Sequence, residues 1–297
     1  LGAAAGGAPH VLGYELINEP STGRRPGVVF GNGLEVNTLT PLYRAAAARI
    51  RAVDPDRPIF YEANPYPMLF ASPFPELPLG ADTQQVFSYH VYCQADVHGV
   101  LNDIVCRAAQ GLELSEYFGM LGAHRGLGAF MTEFGAIGTT APEYEEIGRL
   151  LDAADGRLQS WAYWQLKKFH DLTTANAAEP LYDARGGLEG AKLKLLSRTY
   201  AQAIAGEPLR MSFQAGTAAF ELEYNATVAT APTEVYLNEA LFYPRGYQAE
   251  VEPAECVRQE RLPNRLHLHL VAGGGRCVGR VIKLRVVATP ATELVYM

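Results

Sequence analysis

Short apolar runs alternate with segments of helical periodicity from residue 11 to residue 205. The five apolar runs lie at residues 11–20, 59–62, 86–92, 129–134 and 160–165, and helical patterns lie at 40–53, 112–123, 141–155 and 192–205. This alternation is typical of a parallel α/β fold, in which each helix returns the chain to the same end of the sheet. The sequence therefore predicts five parallel strands and a last helix that stops at Gly206.

The periodicity changes to two after Glu207-Pro208. Short alternating runs such as AFELEYNATV and RLHLHLV, separated by turn residues, indicate an antiparallel β-sandwich. We therefore expect two domains, an α/β domain over residues 1–206 and a sandwich over residues 207–297.

Two of the apolar runs deliver a glutamate to their ends. VLGYELINEP closes with Glu19 and Pro20, a proline that prevents further ladder bonding, and LGAFMTEFG presents Glu133 in the same way. The carboxyl ends of barrel strands are where such folds place catalytic groups, and two facing carboxylates are what hydrolysis of a glycosidic bond requires. We expect Glu19 to be the acid/base, because that group must change protonation state, and Glu133 to be the nucleophile.

Other polar and aromatic side chains fall at the same strand ends. Asn18 precedes the acid and is expected to donate to a sugar 2-hydroxyl. His90 and Tyr92 share one face by period two, and Tyr92 is expected to hydrogen-bond the nucleophile. Trp164 ends the fifth run and offers a flat surface for a sugar ring.

A structural interpretation competes for each of these residues. A glutamate at a strand end is usually a solvated or capping group, and it is the joint occurrence of several such residues that favours catalysis. Glu15 has the same parity as Glu19, and we expect it to be a hydrogen-bonded polar group deeper in the barrel.

The spacing of the two glutamates assigns the strands within a barrel. If Glu19 ends strand four and Glu133 ends strand seven of a (β/α)8 barrel, the 114 residues between them give 38 for each β/α unit. A typical barrel uses about 31 residues per unit, and two long loops absorb the excess. The five strands are then strands four to eight, and we expect the chain to be a fragment whose first three strands belong to the same polypeptide.

Charge and hydropathy exclude some classes of partner. The formal net charge is -7, and no segment gathers enough Lys and Arg to neutralise a run of phosphates, so we expect no nucleic-acid partner. No window approaches the roughly 20 apolar residues that a membrane-spanning helix needs.

Four cysteines form two local pairs, Cys93 with Cys106 and Cys256 with Cys277. Their even number and spacing fit two loop-closing disulfides, although four buried thiols are an equal alternative. Asn225 opens a glycosylation sequon, and we expect a secreted or lumenal location.

His267 and His269 lie on one face of a sandwich strand, but no third ligand is close to them in the sequence, so we expect no metal there. The chain has no Cys/His cluster, phosphate-binding loop or GxSxG motif, and we expect no cofactor.

The motifs INEP, HVY, TEFG and WAYWQ resemble the later half of a clan A glycoside hydrolase of family 5. Within that family, GYELINEP, YHVYC, MTEFGA, the segment 160–174 and the sandwich stretch 233–253 are similar to endoglycoceramidases and endogalactosylceramidases.

This resemblance implies cofactor-free hydrolysis of the bond between a glycan and ceramide, with retention, by Glu19 and Glu133. It implies sugar contacts from Asn18, His90, Tyr92 and Trp164. Family members also use a His and an Asp from early barrel strands, which lie outside this chain.

A loop at residues 63–80, rich in proline and aromatic residues, is a candidate apolar wall or contact with a membrane surface, and packing on its own barrel is the alternative. Two other functions compete with glycosphingolipid hydrolysis. One is a family 5 β-glucanase or exo-glucosidase that acts on soluble or cell-wall polysaccharide. The other is a non-catalytic glycolipid-binding fragment.

Overall fold

The computed structural model describes residues 10–21, 33–64, 73–92, 100–124, 126–167, 179–183, 185–228, 230–271 and 276–290. The chain forms two compact units. The first consists of residues 1–136 and 160–165, and the second of residues 137–159 and 166–297.

The first unit contains a five-stranded parallel sheet. Its strands are β1 (Tyr14–Glu15), β2 (Ile59–Glu62), β3 (Gln85–Val91), β4 (Gly128–Gly135) and β5 (Ser160–Trp164), paired in chain order. A π-helical turn at Glu35–Leu39 leads into α1 (Thr40–Arg51), and α2 (Val100–Ala123) connects β3 with β4. The five parallel strands predicted from the sequence are therefore confirmed.

Aromatic side chains pack against one another around β2 and β3. All four residues of β2 are buried, and Tyr61 packs edge-on against Phe74 with ring centroids 5.5 Å apart. Gly13, just before β1, passes so close to the chain preceding β2 that an added Cβ would lie 2.3 Å from the Pro58 carbonyl oxygen. The glycine of the GYELINEP motif is thus required for pairing of the first two strands.

The second unit contains α3 (Ala141–Gly156), which starts at a capping box formed by Thr140 and Glu143. After α4 (Gly190–Leu196) come eight strands and one short helix: β6 (Tyr200–Ala203), β7 (Gly206–Gln214), β8 (Ala219–Ala226), β9 (Thr233–Tyr236), α5 (Glu239–Phe242), β10 (Tyr247–Glu252), β11 (Val257–Leu262), β12 (Arg265–Leu270) and β13 (Val281–Ala288). The strands form two four-stranded antiparallel sheets, with strand orders β10-β13-β8-β7 and β11-β12-β9-β6. Alternate residues of both sheets form one apolar core.

The prediction of a helix over residues 192–205 is wrong for the second half of that segment. The helix α4 ends at Leu196, and Tyr200 and Ala201 pair with Tyr236 and Val235 of β9. Pairing with a neighbouring strand overrides the helical propensity of this alanine-containing segment. The antiparallel part thus begins a few residues before the boundary expected at 206.

Cys256 and Cys277 are joined by a disulfide with both sulfur atoms in the sandwich core. The pair Cys93 and Cys106 lies outside the residues and side chains that the structure describes. Asn225 lies in β8, where its Nδ2 donates to Glu207 Oε2 at 3.3 Å. Of the loop at 63–80, residues 65–72 lie outside the described part. Within the described residues, no helix combines the length and the hydropathy needed to cross a membrane.

A buried ion pair joins α3 to the sandwich within the second unit. Arg198 donates through Nε and Nη2 to Asp155 Oδ2 at 3.0 and 2.6 Å, and through Nη2 to Asp152 Oδ1 at 2.7 Å. The side chains of Arg198 and Asp155 are 2% and 4% exposed, whereas that of Asp152 is 67% exposed. The same guanidinium thus has one buried and one solvated partner.

We expect Asp155→Ala to lower the free energy of unfolding by about 3 to 5 kcal/mol, because it leaves a buried guanidinium without its buried partner. Asp152→Ala is the matched control, and it should cost about 1 kcal/mol or less because that carboxylate is solvated. Urea unfolding of both variants measures the difference. Equal losses would contradict the assignment.

Candidate active site

Five polar side chains meet at the carboxyl edge of the parallel sheet. Glu19 follows β1, Glu62 ends β2, His90 and Tyr92 lie at the end of β3, and Glu133 lies in β4. Because the carboxyl ends of parallel strands share one edge, residues far apart in the chain are placed side by side.

The backbone at Glu19 has a left-handed conformation with φ of 44°. Its N–H donates to Glu62 Oε2 at 2.9 Å, and its Oε1 lies 2.8 Å from His90 Nδ1. The side chain of Glu19 is still 39% exposed. The carboxylate is thus held at one oxygen while it remains open to solvent.

A bulge in β4 directs Glu133 toward the same edge. Between Met131 and Phe134, β4 has one more residue than either neighbouring strand, so that Tyr89 pairs with Met131 but His90 pairs with Glu133. An extra residue changes the side-chain alternation, and bulges are frequent beside active sites for this reason. As a result, the consecutive residues Thr132 and Glu133 both have polar partners from other strands, Thr132 with Ser88 and Glu15, and Glu133 with Tyr92.

Glu133 receives a hydrogen bond from Tyr92 Oη at 2.8 Å, and its Oε2 lies 3.5 Å from His90 Nδ1. The hydrogen bond predicted from Tyr92 to Glu133 is therefore present. A carboxylate oxygen of Glu133 and one of Glu19 lie within 4.8 Å of one another. Burial raises the pKa of Glu133 from its ordinary value, while His90 and Tyr92 favour the ionised form.

His90 is buried among three carboxylates. Its Nδ1 faces Glu19 and Glu133, and its Nε2 lies 3.2 Å from Glu62 Oε1. Burial disfavours the charged imidazole, but the carboxylates outweigh this effect, with Glu62 the strongest, and raise the pKa of His90 to about 9. His90 is therefore a cation at neutral pH.

A second layer of hydrogen bonds lies beneath these groups. Ser88 Oγ donates to Glu15 Oε1, and Thr132 Oγ1 donates to the same oxygen at 3.2 Å. Glu15 is therefore hydrogen-bonded as expected, but it is exposed, so the expectation that it lies deeper in the barrel is not confirmed.

Trp164 and Asn18 complete the set of predicted residues. Trp164 ends β5, and its carbonyl oxygen accepts from Ala136 N at 3.1 Å. Gly135 in the TEFG motif has φ of 128°, and an added Cβ would lie 2.5 Å from the Trp164 carbonyl oxygen, so only glycine fits there. Asn18 is exposed beside Glu19.

Glu62 is the site residue to which the sequence pattern assigned no role. Burial raises its pKa, which His90 and the Glu19 N–H oppose, and its backbone carbonyl accepts from Tyr43 Oη at 2.7 Å. The signal that could have found it is its position, because it ends an apolar run as Glu19 and Glu133 do.

Metal binding is a poor description of this cluster. Oxygen and nitrogen atoms of Glu19, His90 and Glu133 lie close enough to share an ion. A histidine with a pKa of about 9, however, is protonated near neutral pH and cannot be a ligand without losing its proton. The cluster is better described as an ion-pair network.

One expectation about the sandwich is wrong. A third polar ligand does lie near His267 and His269, because the antiparallel pairing of β11 with β12 places Glu260 directly opposite His267.

Residues 3–170, more than half of the chain, match the family described as cellulase (glycosyl hydrolase family 5). The chain belongs to glycoside hydrolase family 5. Residues 198–286 match the glycoside hydrolase family 5 C-terminal domain, which agrees with a sandwich that begins near Tyr200.

Similar curated proteins include endoglycoceramidases from Cyanea nozakii and Hydra vulgaris. The chain is 29% identical to that of Cyanea nozakii over 267 residues, covering 86% of this chain and 50% of the relative. It is 32% identical to that of Hydra vulgaris over 256 residues, covering 82% and 45%. The chain thus spans about half the length of the curated relatives it matches.

The fold is similar to that of endo-glycoceramidase II from Rhodococcus sp., solved as a ganglioside GM3 complex. The two structures align with a TM-score of 0.77 and 19% identity over 97% of this chain and 61% of that one. The parallel sheet and the antiparallel sheets therefore match those of a family 5 barrel enzyme with a C-terminal β domain.

We expect Glu62→Gln to lower the pKa of His90 clearly below 9, because it removes the strongest of the three negative charges around the imidazole. Titration of the His90 ring by NMR measures this. Glu35→Gln is the matched control. Glu35 is also a buried glutamate of this unit, but its carboxylate accepts a hydrogen bond from Asn64 N instead of contacting His90. A His90 pKa unchanged by Glu62→Gln would contradict the network.

The raised pKa of His90 also sets a pH dependence of stability. A group whose pKa is higher in the folded than in the unfolded state stabilises the fold fully below its unfolded pKa, near 6.5. We therefore expect stability to fall between pH 6.5 and pH 9, and this fall to be smaller in His90→Gln. Urea unfolding across this range provides the measurement, and an identical fall in both proteins would contradict the account.

Proposed function

We propose that the protein carrying this chain is a retaining glycosidase that cleaves the β-glycosidic bond between the glycan and the ceramide of glycosphingolipids. The observation that carries the mechanism is the approach of Glu19 and Glu133 to within 4.8 Å between carboxylate oxygens. Retaining enzymes hold their two carboxyl groups about 5 to 5.5 Å apart, whereas inverting enzymes leave room for a water molecule.

In the first step Glu133 attacks the anomeric carbon while Glu19 gives its proton to the departing ceramide oxygen. The glycosyl group is then bound to Glu133 as an ester. In the second step Glu19 takes a proton from water, the water oxygen bonds to the anomeric carbon, and Glu133 leaves as a carboxylate. Two inversions give net retention.

The surrounding residues suit the two different tasks. Tyr92 donates to one oxygen of Glu133, which favours the ionised form and aims the other oxygen. Glu19 is the more exposed of the pair, with 39% of its side chain accessible against 20% for Glu133, and this suits a group that must meet water. Asn18 is proposed to donate to the sugar 2-hydroxyl and Trp164 to stack on a sugar ring.

The proposed substrate rests on similarity. The curated relatives are named endoglycoceramidase, and the structural neighbour from Rhodococcus was solved with ganglioside GM3. The matched family is described as cellulase, which keeps a β-glucan as the alternative substrate. We also propose a secreted or lumenal location, supported by the disulfide between Cys256 and Cys277.

We further propose that β1 to β5 are strands four to eight of an eight-stranded barrel. The coverage of about half of each relative supports this assignment. A His and an Asp from the earlier strands would then complete the sugar-binding site. Assays should therefore compare the 297-residue chain with a polypeptide that includes upstream sequence.

Glu133→Gln should lower kcat on ganglioside by on the order of 10⁴-fold or more, as loss of a nucleophile does in other enzymes. Glu19→Gln should lower it by about 10² to 10⁴-fold, but far less on a dinitrophenyl glycoside, whose leaving group needs no proton. The exposed Glu250→Gln in β10 is the control and should be unchanged. Release of oligosaccharide is the readout.

Three results would overturn the proposal in different ways. Full activity of Glu133→Gln would remove the nucleophile assignment. Hydrolysis of carboxymethylcellulose without release from ganglioside would favour the glucanase. Saturable glycolipid binding that Glu133→Gln leaves unchanged, without turnover by either polypeptide, would indicate a binding module.

A further inference from the structure

The outer face of the sheet β11-β12-β9 carries two histidines and two glutamates. His267 and His269 are two residues apart in β12, so both side chains leave the same face of the sheet, while Leu266 and Leu268 are buried in the core on the other face. The histidines are therefore presented side by side, with ring centroids 6.1 Å apart.

The register brings one glutamate to His267 from each neighbouring strand. Glu260 of β11 pairs with His267 on one side, and Glu234 of β9 pairs with it on the other. Directly opposed residues of antiparallel strands have Cβ atoms about 5 Å apart, close enough for their polar ends to share a ligand. Strand pairing thus gathers the four side chains without any loop.

The nitrogen and oxygen atoms that could bind a metal ion lie close together. His269 Nε2 lies 2.7 Å from Glu260 Oε2, and one donor atom from each of Glu260, His267 and His269 lies within 4.8 Å of the others. His267 Nε2 lies 3.8 Å from Glu234 Oε2, which is too far for a hydrogen bond.

His267 Nε2 is buried and has no hydrogen-bond partner among the described residues, while the His267 side chain as a whole is 16% exposed. An unpaired buried nitrogen costs about 1 to 3 kcal/mol, and a bound cation would remove that cost. Arg258 pairs with His269 across the two strands, and its Nη1 lies 3.8 Å from Glu260 Oε2. Its side chain is 62% exposed, so the guanidinium has solvent to turn into when a cation binds.

We propose that Glu260, His267 and His269 bind a divalent transition-metal ion such as Zn²⁺, with Glu234 as a fourth ligand. Two imidazole nitrogens and carboxylate oxygens are the ligands that zinc takes in proteins, and small side-chain rotations would bring them to about 2.0 to 2.2 Å from a common point. The ion would crosslink the strands β9, β11 and β12 of the sandwich. This proposal does not depend on the proposed hydrolysis.

The experiment titrates the metal-stripped full chain with Zn²⁺ by calorimetry, and with Co²⁺ by visible absorption, which reports nitrogen and oxygen ligands directly. We expect the double variant His267→Ala/His269→Ala to bind one Zn²⁺ fewer per chain than the parent protein. Glu260→Gln should bind at least 10-fold more weakly, and Glu234→Gln more weakly by a smaller factor. The exposed His10→Ala is the control and should match the parent.

Circular dichroism and thermal unfolding in the presence of a chelator show whether each variant folds. If a histidine-to-alanine variant does not fold, His269→Gln is used in its place, because glutamine preserves more of the side-chain volume. Zn²⁺, but not Mg²⁺, should raise the Tm of the parent and not that of the variants. Equal stoichiometry and affinity in the parent and the folded histidine variants would overturn the proposal, as would the absence of Zn²⁺ binding by the parent.

Discussion

The charge on His90 allows the other side chains of the strand-end cluster to coexist. Glu19, Glu62 and Glu133 each place an oxygen within 3.5 Å of its ring nitrogens. Two ionised carboxylates about 4 Å apart repel by about 4 kcal/mol near a protein surface, so a cation among the three carboxyl groups lowers the cost of placing them together. The imidazolium of His90 supplies that cation. Its pKa is raised to about 9 because the three neighbouring carboxyl groups favour the charged ring.

The two proposed catalytic carboxylates differ because of what else holds them. Glu133 is fixed by Tyr92 and by the bulge in β4, whereas Glu19 is fixed through its backbone N–H, which donates to Glu62. A nucleophile has to stay ionised and aimed, and an acid/base has to exchange its proton with water. Glu19 is also held at one carboxylate oxygen by His90 Nδ1, and because 39% of its side chain is exposed, its carboxyl group can still exchange a proton with water.

Much of this arrangement could be predicted from sequence because strand ends leave a clear pattern. Apolar runs that close on Glu19, Tyr92 and Glu133 indicate both the parallel sheet and the edge where those residues meet. The GYELINEP and TEFG glycines turn out to be required where neighbouring strands approach each other closely.

The features that could not be predicted depend on register, which short motifs do not encode. The bulge that directs Glu133, the contact of Glu62 with His90, and the pairing of Glu260 with His267 each require knowing which residue lies opposite which. The same holds for Tyr200–Ala203, whose composition suits a helix but whose partner is the strand β9.

The central claim, that Glu133 forms a covalent bond with the sugar while Glu19 acts through its proton, has one direct measurement. A 2-deoxy-2-fluoro glycoside with a good leaving group slows the second step more than the first, so the glycosyl-enzyme accumulates and can be digested and mapped by mass spectrometry. The account predicts one added glycosyl group, on the peptide that contains Glu133 and on that side chain. A label on Glu19 or on any other residue would contradict it.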